Sequence, residues 1–316
     1  RNTGYDLGTF LREMTPLSVK LYGNSGLSSV SIRGLSGNHT LVTWNGISVT
    51  TPNTGQYDFF LLPVMDNSRI IVREGGADLG EITGSIGGQV DLSSEPADSN
   101  DHALSITTGA GSNKDLSSLV RLNACSNGIS ASSAVWWRKS ENNFFYNTGN
   151  GDRERRENAA FETKGMMHDI FMPWRRSRVS AHIWFNETGR ELPGPVTKCF
   201  GESQYDRSFR SAVTYRYDSP VMRVQINGGF VNDLNKYNND SSSITGVNHS
   251  NIFVIRTKMN YRLNDRIDAG FNLGNEFQTA SSLSFDGLMR RNILSAGVSV
   301  TATPSKRLRL LIQSSI

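Results

Sequence analysis

The sequence lacks any long apolar run. No stretch approaches the roughly 18 to 20 consecutive apolar residues that a membrane-spanning helix needs. With 316 residues, 37% of them hydrophobic, the chain is nevertheless long enough to bury a sizeable core. Its mean hydropathy of −0.39 is too polar for a helical membrane protein. Any crossing of a membrane would therefore have to use β-strands.

Cysteine is also scarce, since only Cys125 and Cys199 occur. Two cysteines without metal-ligand spacing support neither a disulfide framework nor a zinc site. The net charge of +4 is small, and no stripe of basic residues alternates with aromatic residues, so nucleic acid is not an expected partner. The first ten residues lack the charged start and apolar run of a secretory signal.

The composition changes near Glu95–Asp101. Before this point, short apolar segments such as Thr40–Trp44 and Arg69–Arg73 alternate with glycine turns, which is typical of a compact domain of short strands. After it, apolar and polar residues alternate with a period of two. We therefore predict one domain over residues 1–97 and a second over residues 98–316.

The period-two pattern of the second domain predicts long antiparallel strands. Val179, Ala181 and Ile183, for example, alternate with Ser180 and His182. Eleven strands of about ten residues, the length that crosses a bilayer when tilted, are predicted. They span residues 103–111, 116–124, 128–138, 159–171, 177–186, 205–217, 221–231, 251–262, 266–276, 292–302 and 307–315.

The connections between these strands alternate in length. Short turns alternate with long polar loops at about 140–158, 187–204, 232–250 and 277–291. Strict alternation is typical of a transmembrane β-barrel and is not expected of a soluble sandwich. Eleven strands would leave an open edge, so we expect about half of a larger barrel, with the rest missing, cleaved or supplied by another chain. Cys125 and Cys199 would lie at opposite rims and should not form a disulfide.

Four motifs in the first domain occur in a set order. They are Ser31–Gly34, Thr40–Gly46, Arg69–Gly75 and Gly84–Leu92. In this order they resemble the plug domain of TonB-dependent outer-membrane receptors. Trp44 and Asp91 are mild departures from the usual motifs. The resemblance implies an all-β protein in which an N-terminal α+β plug lies inside a transmembrane antiparallel β-barrel of 22 strands, about half of which are present in this sequence.

The resemblance also implies a function. Receptors of this kind lie in the outer membrane of Gram-negative bacteria, among outer-membrane lipid, and import scarce, bulky solutes with energy from the TonB-ExbB-ExbD complex. In the family, two plug arginines pair with barrel glutamates, and Arg33 and Arg73 match these positions, so both are expected to lock the plug to the barrel. The family's coupling segment, the TonB box, is expected before Arg1.

The plug tip suggests a solute. The segment from His39 to Phe59 most resembles the cobalamin-receptor-like branch of Bacteroidetes type, which implies cobalamin or a related corrinoid. The expected ligand-binding residues are Thr50, Pro52, Asn53, Thr54, Gln56 and Tyr57. Ferric siderophores or haem are the alternatives within this class. A surface complex or adhesion barrel that binds a lipoprotein partner is the alternative from a different class.

Catalytic and metal sites find little support in the sequence. Ser36, His39 and Asp58 have no nucleophile elbow, zinc helix or phosphate loop beside them, so no enzyme is expected. Met166–His168 fits an alternating wall strand better than a metal site. A polar segment could hold calcium in a loop, but its spacing matches no known calcium loop. Its residues are Asp233, Asn235, Asn238, Asn239 and Asp240. No resident metal or cofactor is therefore expected.

Overall fold

The computed structural model describes residues 6–15, 17–23, 25–62, 68–75, 86–96, 102–148, 151–195, 201–283, 285–305 and 308–315. Within these ranges, no helix has both the length and the apolar character that a membrane crossing requires.

In its described part, the N-terminal domain contains one α-helix and six short strands. Helix α1 (Leu7–Met14) begins at Asp6, whose carboxylate accepts a hydrogen bond of 2.9 Å from the Thr9 N–H. The strands are β1 (Ser18–Leu21), β2 (Ser28–Ser31), β3 (Thr40–Trp44), β4 (Ile47–Ser48), β5 (Ser68–Glu74) and β6 (Gly88–Ser94). Strands β1 and β2 pair with each other, and the rest form a sheet of order β4-β3-β6-β5 in which β3 and β6 are parallel. The predicted α+β plug fold is therefore confirmed.

The second domain is one antiparallel sheet of eleven strands, which confirms all eleven predictions. The strands are β7 (Ala103–Ala110), β8 (Leu116–Ser126), β9 (Ile129–Ser140), β12 (Phe161–Trp174), β13 (Ser177–Leu192), β14 (Glu202–Asp218), β15 (Met222–Asn239), β16 (Ile244–Asn264), β17 (Ile267–Ser282), β18 (Phe285–Ser305) and β19 (Leu308–Ser315). They pair in chain order, and the small hairpin of β10 (Phe145–Asn147) and β11 (Arg153–Arg155) lies outside this sheet.

The strands are longer than predicted, and two predicted loops are wrong. Residues of the expected loops 232–250 and 277–291 belong mainly to β15, β16, β17 and β18, which reach 21 residues. The ladder of backbone hydrogen bonds needs no apolar side chains, so it continues where the apolar alternation ends. Most of the polar segment considered as a calcium loop is strand rather than loop, because residues 233–239 belong to β15 and Asp233 is buried.

The two faces of the sheet differ as the alternation predicts. On β13, His182 is 3% exposed on the inward face, whereas its neighbour Ile183 is 39% exposed on the outward face. One row of outward phenylalanines crosses five neighbouring strands. Neighbouring phenylalanines are direct cross-strand partners, except that Phe209 pairs with the residue two positions from Phe230. Its members are Phe185, Phe209, Phe230, Phe253 and Phe277. We call this set the phenylalanine row; such aromatic rows border the apolar belt of transmembrane barrels.

The plug packs against the inward face and shares its core. The rings of Trp44 in the plug and Trp184 in the wall have centroids 5.6 Å apart, and both side chains are buried. Beside them, the Asn227 side-chain amide donates to the Asn45 carbonyl over 3.2 Å. The wall therefore covers the plug with a mixture of apolar and hydrogen-bonded contacts.

Gly229 on β15 lies at a close contact between the plug and the wall. A Cβ atom at this position would lie 2.5 Å from Cγ2 of Ile47. We expect Gly229→Ala to destabilise the seated plug by about 1–3 kcal/mol, because the packed interface must shift to admit the methyl group. Hydrogen exchange of the plug amides measures the effect. Gly228→Ala is the matched control, since a Cβ there meets nothing within 4 Å; equal exchange in both variants would contradict this contact.

Candidate functional site

A buried carboxylate joins the plug to the wall. One oxygen of Asp58 accepts the backbone N–H groups of Ser28 and Phe60 at 2.9 and 3.1 Å. The other accepts Nη2 of Arg190 on β13 at 2.7 Å. Nη1 of Arg190 also donates to the Ser25 carbonyl over 3.2 Å. Two segments of the plug are thus tied to one wall arginine, and we call this set of contacts the Asp58–Arg190 latch.

The latch is largely shielded from solvent. The Arg190 side chain is 2% exposed and also lies 3.3 Å from the Asp206 carboxylate of β14. Its guanidinium packs over the Phe60 ring, 5.5 Å from the centroid. Isolated charges are very costly to bury, so each member of this set depends on its partners.

A second arginine lies next to the latch on the same wall. Arg210 on β14 is 1% exposed and donates to the Asp233 carboxylate over 3.1 Å. Its guanidinium lies 4.1 Å from the Trp184 ring and 5.6 Å from the Tyr57 ring of the plug. The plug tip is therefore held by cation–π contact as well as by ion pairing.

A cavity of about 230 Å³ lies between the plug tip and these wall residues. Four of the six predicted ligand-binding residues line it, namely Asn53, Thr54, Gln56 and Tyr57. Pro52 does not line this cavity, and Thr50 has its hydroxyl 3.5 Å from the Val42 N–H of the plug.

Several polar atoms at this cavity have no partner among the described residues. They are Oδ1 of Asn53, the hydroxyl of Tyr57 and Oδ2 of Asp233, all buried. Burial raises the pKa of Tyr57, so its hydroxyl stays neutral and can donate a hydrogen bond. Buried polar groups normally have partners. This arrangement offers both donors and acceptors to a polar group that enters the cavity.

The charge of the cavity wall is mixed. Three carboxylates, of Asp58, Asp206 and Asp233, face the two guanidinium groups of Arg190 and Arg210, which gives a formal charge of −1. The arginines are paired with these carboxylates rather than free. The wall therefore suits a neutral polar group better than an anion.

The two predicted lock arginines have partners within the plug. Arg33 is exposed, has φ of +54°, and has Nε 3.7 Å from the Glu74 carboxylate. Arg73 pairs with Asp91, the residue that departs from the usual motif. The expected pairing of both arginines with barrel glutamates stays a prediction.

The methionine, His168 and cysteine candidates do not line this cavity among the described residues. Nδ1 of His168 is 2.7 Å from the Ser133 hydroxyl, and Met167 is buried. In the described ranges, no three His, Cys, Asp or Glu side chains group as metal ligands would. Cys125 is a buried free thiol, while Cys199 lies outside the described residues, so their expected separation stays a prediction.

Sequence reasoning missed the two wall arginines. Their inward orientation could have been found, since Arg190 shares its parity along β13 with His182 and Asn186, which the alternation places on the polar face. Their partners in the plug could not have been found from sequence, because residues as far apart as Asp58 and Arg190, 132 positions, show no pattern that pairs them.

Residues 1–89 match the family model of the TonB-dependent Receptor Plug Domain. No curated protein matches the chain. Among solved structures, the FrpB iron transporter from Neisseria meningitidis (F5-1 variant) superposes with a TM-score of 0.77 at 10% identity, covering 99% of this chain and 59% of that one.

Two further structures are similar. The copper transporter OprC gives a TM-score of 0.73 at 13% identity, covering 99% of this chain and 52% of its own. The siderophore receptor PirA from Pseudomonas aeruginosa gives a TM-score of 0.69 at 15% identity, covering 100% of this chain and 53% of PirA. The chain thus spans little more than half the length of these structures. At identities this low, the similarity shows a shared fold and nothing more.

The matched proteins are receptors and transporters and not enzymes, in agreement with the sequence-based expectation. The plug match and the barrel fold together place the chain in the outer membrane of a Gram-negative bacterium. The chain therefore combines a TonB-dependent receptor plug domain with the barrel fold of outer-membrane receptors and transporters.

Proposed function

We propose that the chain is part of a TonB-dependent importer that binds its solute between the plug tip and the barrel wall. The observation that carries this proposal is the partly unsatisfied polar cavity beside the Asp58–Arg190 latch. A solute in this cavity contacts plug and wall at once. Energy from the TonB-ExbB-ExbD complex then moves the plug and opens the path.

The charge of the cavity favours one class of solute. A formal charge of −1 on its wall disfavours multiply anionic ferric catecholates. Primary amides both donate and accept hydrogen bonds, as Asn53, Tyr57 and Asp233 require. Cobalamin carries amide side chains around its ring, so we propose cobalamin or a related corrinoid. A cavity of about 230 Å³ holds one edge of such a solute rather than the whole ring.

Metal chelates are the alternative. The similar structures are named as iron, copper and siderophore transporters or receptors. A ferric siderophore or haem would use the same space between plug and wall. A surface barrel that binds a lipoprotein partner is a different alternative, in which solute binding would be absent and partner binding retained.

The test is equilibrium binding of cobalamin to the full-length receptor in detergent, followed by gel filtration with detection of corrinoid absorbance. We expect co-elution, and Tyr57→Phe should weaken binding by about tenfold, as expected when one buried hydrogen bond is lost. Tyr146→Phe is the control, because Tyr146 is in the β10–β11 hairpin. In cells, uptake should stop when the proton gradient is collapsed.

Two results would contradict the proposal. Binding of a ferric siderophore without binding of cobalamin would contradict the proposed solute but not the proposed importer function. Uptake that continues without a proton gradient would indicate a passive pore instead.

A further inference from the structure

A second cavity, of about 490 Å³, lies between the plug and the wall at the short-turn end of the barrel. Its wall side belongs to β12, β13, β14 and β15, and its plug side to the β3–β4 turn, β5 and the end of β6. Arg178, which lines it, is twelve residues along β13 from Arg190, or roughly 40 Å. Short turns lie on the periplasmic side of outer-membrane barrels, so this cavity and the solute cavity are at opposite ends of the plug.

Two arginines face the wall side of this cavity. Arg178 of β13 and Arg216 of β14 are direct cross-strand partners, and we call them the arginine pair. Both lie on the inward face, because Arg178 shares its parity with the buried Ser180 and Arg216 shares its parity with the buried Ala212. Like charges directly opposite each other destabilise a sheet. An anion between the two guanidinium groups would remove this repulsion.

Within the described part of the chain, no carboxylate lies within 4 Å of either guanidinium group of the arginine pair. Arg216 instead donates from Nη2 to Oε1 of Gln225 over 3.0 Å. Among the described residues that line the cavity, Glu95 is the one carboxylate, and it lies 3.7 Å from Arg69 of the plug. Three arginines and one glutamate give the lining a formal charge of +2 with His182 neutral.

Two wall carboxylates near this end do not line the cavity. Asp169 of β12 is buried and lies 2.7 Å from Nδ1 of His182. Asp218 is two residues beyond Arg216 on the same face, but its direct cross-strand partner is Arg223. Each of these acids therefore has a basic side chain of its own beside it. The charge of the arginine pair makes the cavity suitable for an anion.

The lining also contains hydroxyl groups on the plug side, from Ser93 and Ser94. A phosphate group has up to four oxygens that point in different directions. It can therefore accept hydrogen bonds from two guanidinium groups and from a hydroxyl at the same time. A carboxylate has two oxygens in one plane, and a single arginine fork already satisfies it. An arginine pair that faces hydroxyls across a cavity thus favours phosphate.

We infer that this cavity binds a phosphate group, held by the arginine pair and by the hydroxyls of Ser93 and Ser94. The group belongs either to inorganic phosphate or to a phosphodiester within a larger molecule. Bound phosphate contacts wall and plug together, so it stabilises the periplasmic end of the seated plug. The inference does not depend on the imported solute, because the described linings of the two cavities share no residue.

The test is isothermal titration calorimetry of the full-length receptor in detergent with inorganic phosphate and, separately, with dimethyl phosphate. Arg178→Gln and Arg216→Gln should each weaken phosphate binding by about tenfold, because each removes a charged hydrogen-bond donor. Arg175→Gln is the matched control, since it removes the same charge from the adjoining β12–β13 turn and Arg175 does not line the cavity. Phosphate should also slow hydrogen exchange of residues 93–95 in the unmodified receptor and in the control.

Several results would overturn the inference. They are no phosphate binding by the unmodified receptor, equal weakening by Arg175→Gln and the two arginine-pair variants, and unchanged exchange of residues 93–95 when phosphate is bound. Binding of dimethyl phosphate as well as inorganic phosphate would support a phosphodiester as the source, whereas binding of inorganic phosphate alone would support free phosphate.

Two further measurements on the same samples separate loss of the site from other failures. Exchange of residues 25–62 without phosphate should match that of the unmodified receptor, which shows that each variant is folded with its plug seated. Cobalamin binding tests the importer proposal independently, since neither arginine of the pair lines the solute cavity.

Discussion

Replacing Asp58 by alanine is expected to destabilise the seated plug by about 3–5 kcal/mol, because it breaks the buried ion pair between the plug and Arg190 of the wall. Asp206 remains 3.3 Å from Arg190 but cannot hold the plug, since both of these residues belong to the wall. The change also removes the acceptor for the Ser28 and Phe60 N–H groups. Hydrogen exchange of residues 25–62 in the full-length receptor should increase by roughly 10²–10³-fold where opening limits exchange.

Two further variants separate the charge from the hydrogen bonds. Asp58→Asn keeps an oxygen for the backbone N–H groups but removes the charge that faces Arg190, so its effect should be smaller than that of alanine. In a double-mutant cycle, Asp58→Ala should have a smaller effect on plug seating when Arg190 is already alanine, because the backbone hydrogen bonds of Asp58 then remain to be lost but the ion pair does not. Additive effects of the two changes would show that the two side chains act independently.

An exposed ion pair provides the control. Lys114 is 74% exposed and pairs with Glu141 on the wall. Lys114→Ala should change plug exchange by the equivalent of less than about 1 kcal/mol, because solvent screens exposed pairs. If Asp58→Ala had an effect as small as this, the latch would not retain the plug.

The strands could be predicted from sequence because one physical rule governs all of them. A strand with lipid on one side and the plug on the other must alternate apolar and polar residues, as Ile183 and His182 do. Strand ends could not be predicted in the same way. Beyond the apolar belt both faces are polar, so Asp233–Asn239 resembles a loop in composition while its backbone continues the ladder.

The candidate site was predictable on the plug side alone. Asn53 and Tyr57 follow from the resemblance of the tip to a receptor plug, and both line the cavity. The wall side depends on which inward residue of β14 or β15 lies opposite the tip. That is set by register and by the rotation of the plug in the barrel, which the sequence of either domain alone does not encode. Arg210 was missed for this reason, and Asp233 was placed in a loop instead of the cavity wall.

Replacing Trp44 by alanine tests the seat of the plug at a second contact with the wall. Trp44 is buried against Trp184, and its ring centroid lies 6.1 Å from that of His182, nearer the short-turn end of β13 than Arg190. Truncation of a buried tryptophan leaves a cavity and typically costs about 3–5 kcal/mol. We therefore expect plug exchange to rise as much as in Asp58→Ala.

Trp174→Ala is the control for this change, because Trp174 is 65% exposed on the outward side of β12. The two plug variants should differ in one respect. Asp58 lines the solute cavity and Trp44 does not, so Asp58→Ala should weaken solute binding strongly, whereas Trp44→Ala should loosen the plug with a smaller effect on affinity. Equal losses of affinity would mean that solute binding depends on plug seating as a whole, and that the cavity residues have no separate role in recognition.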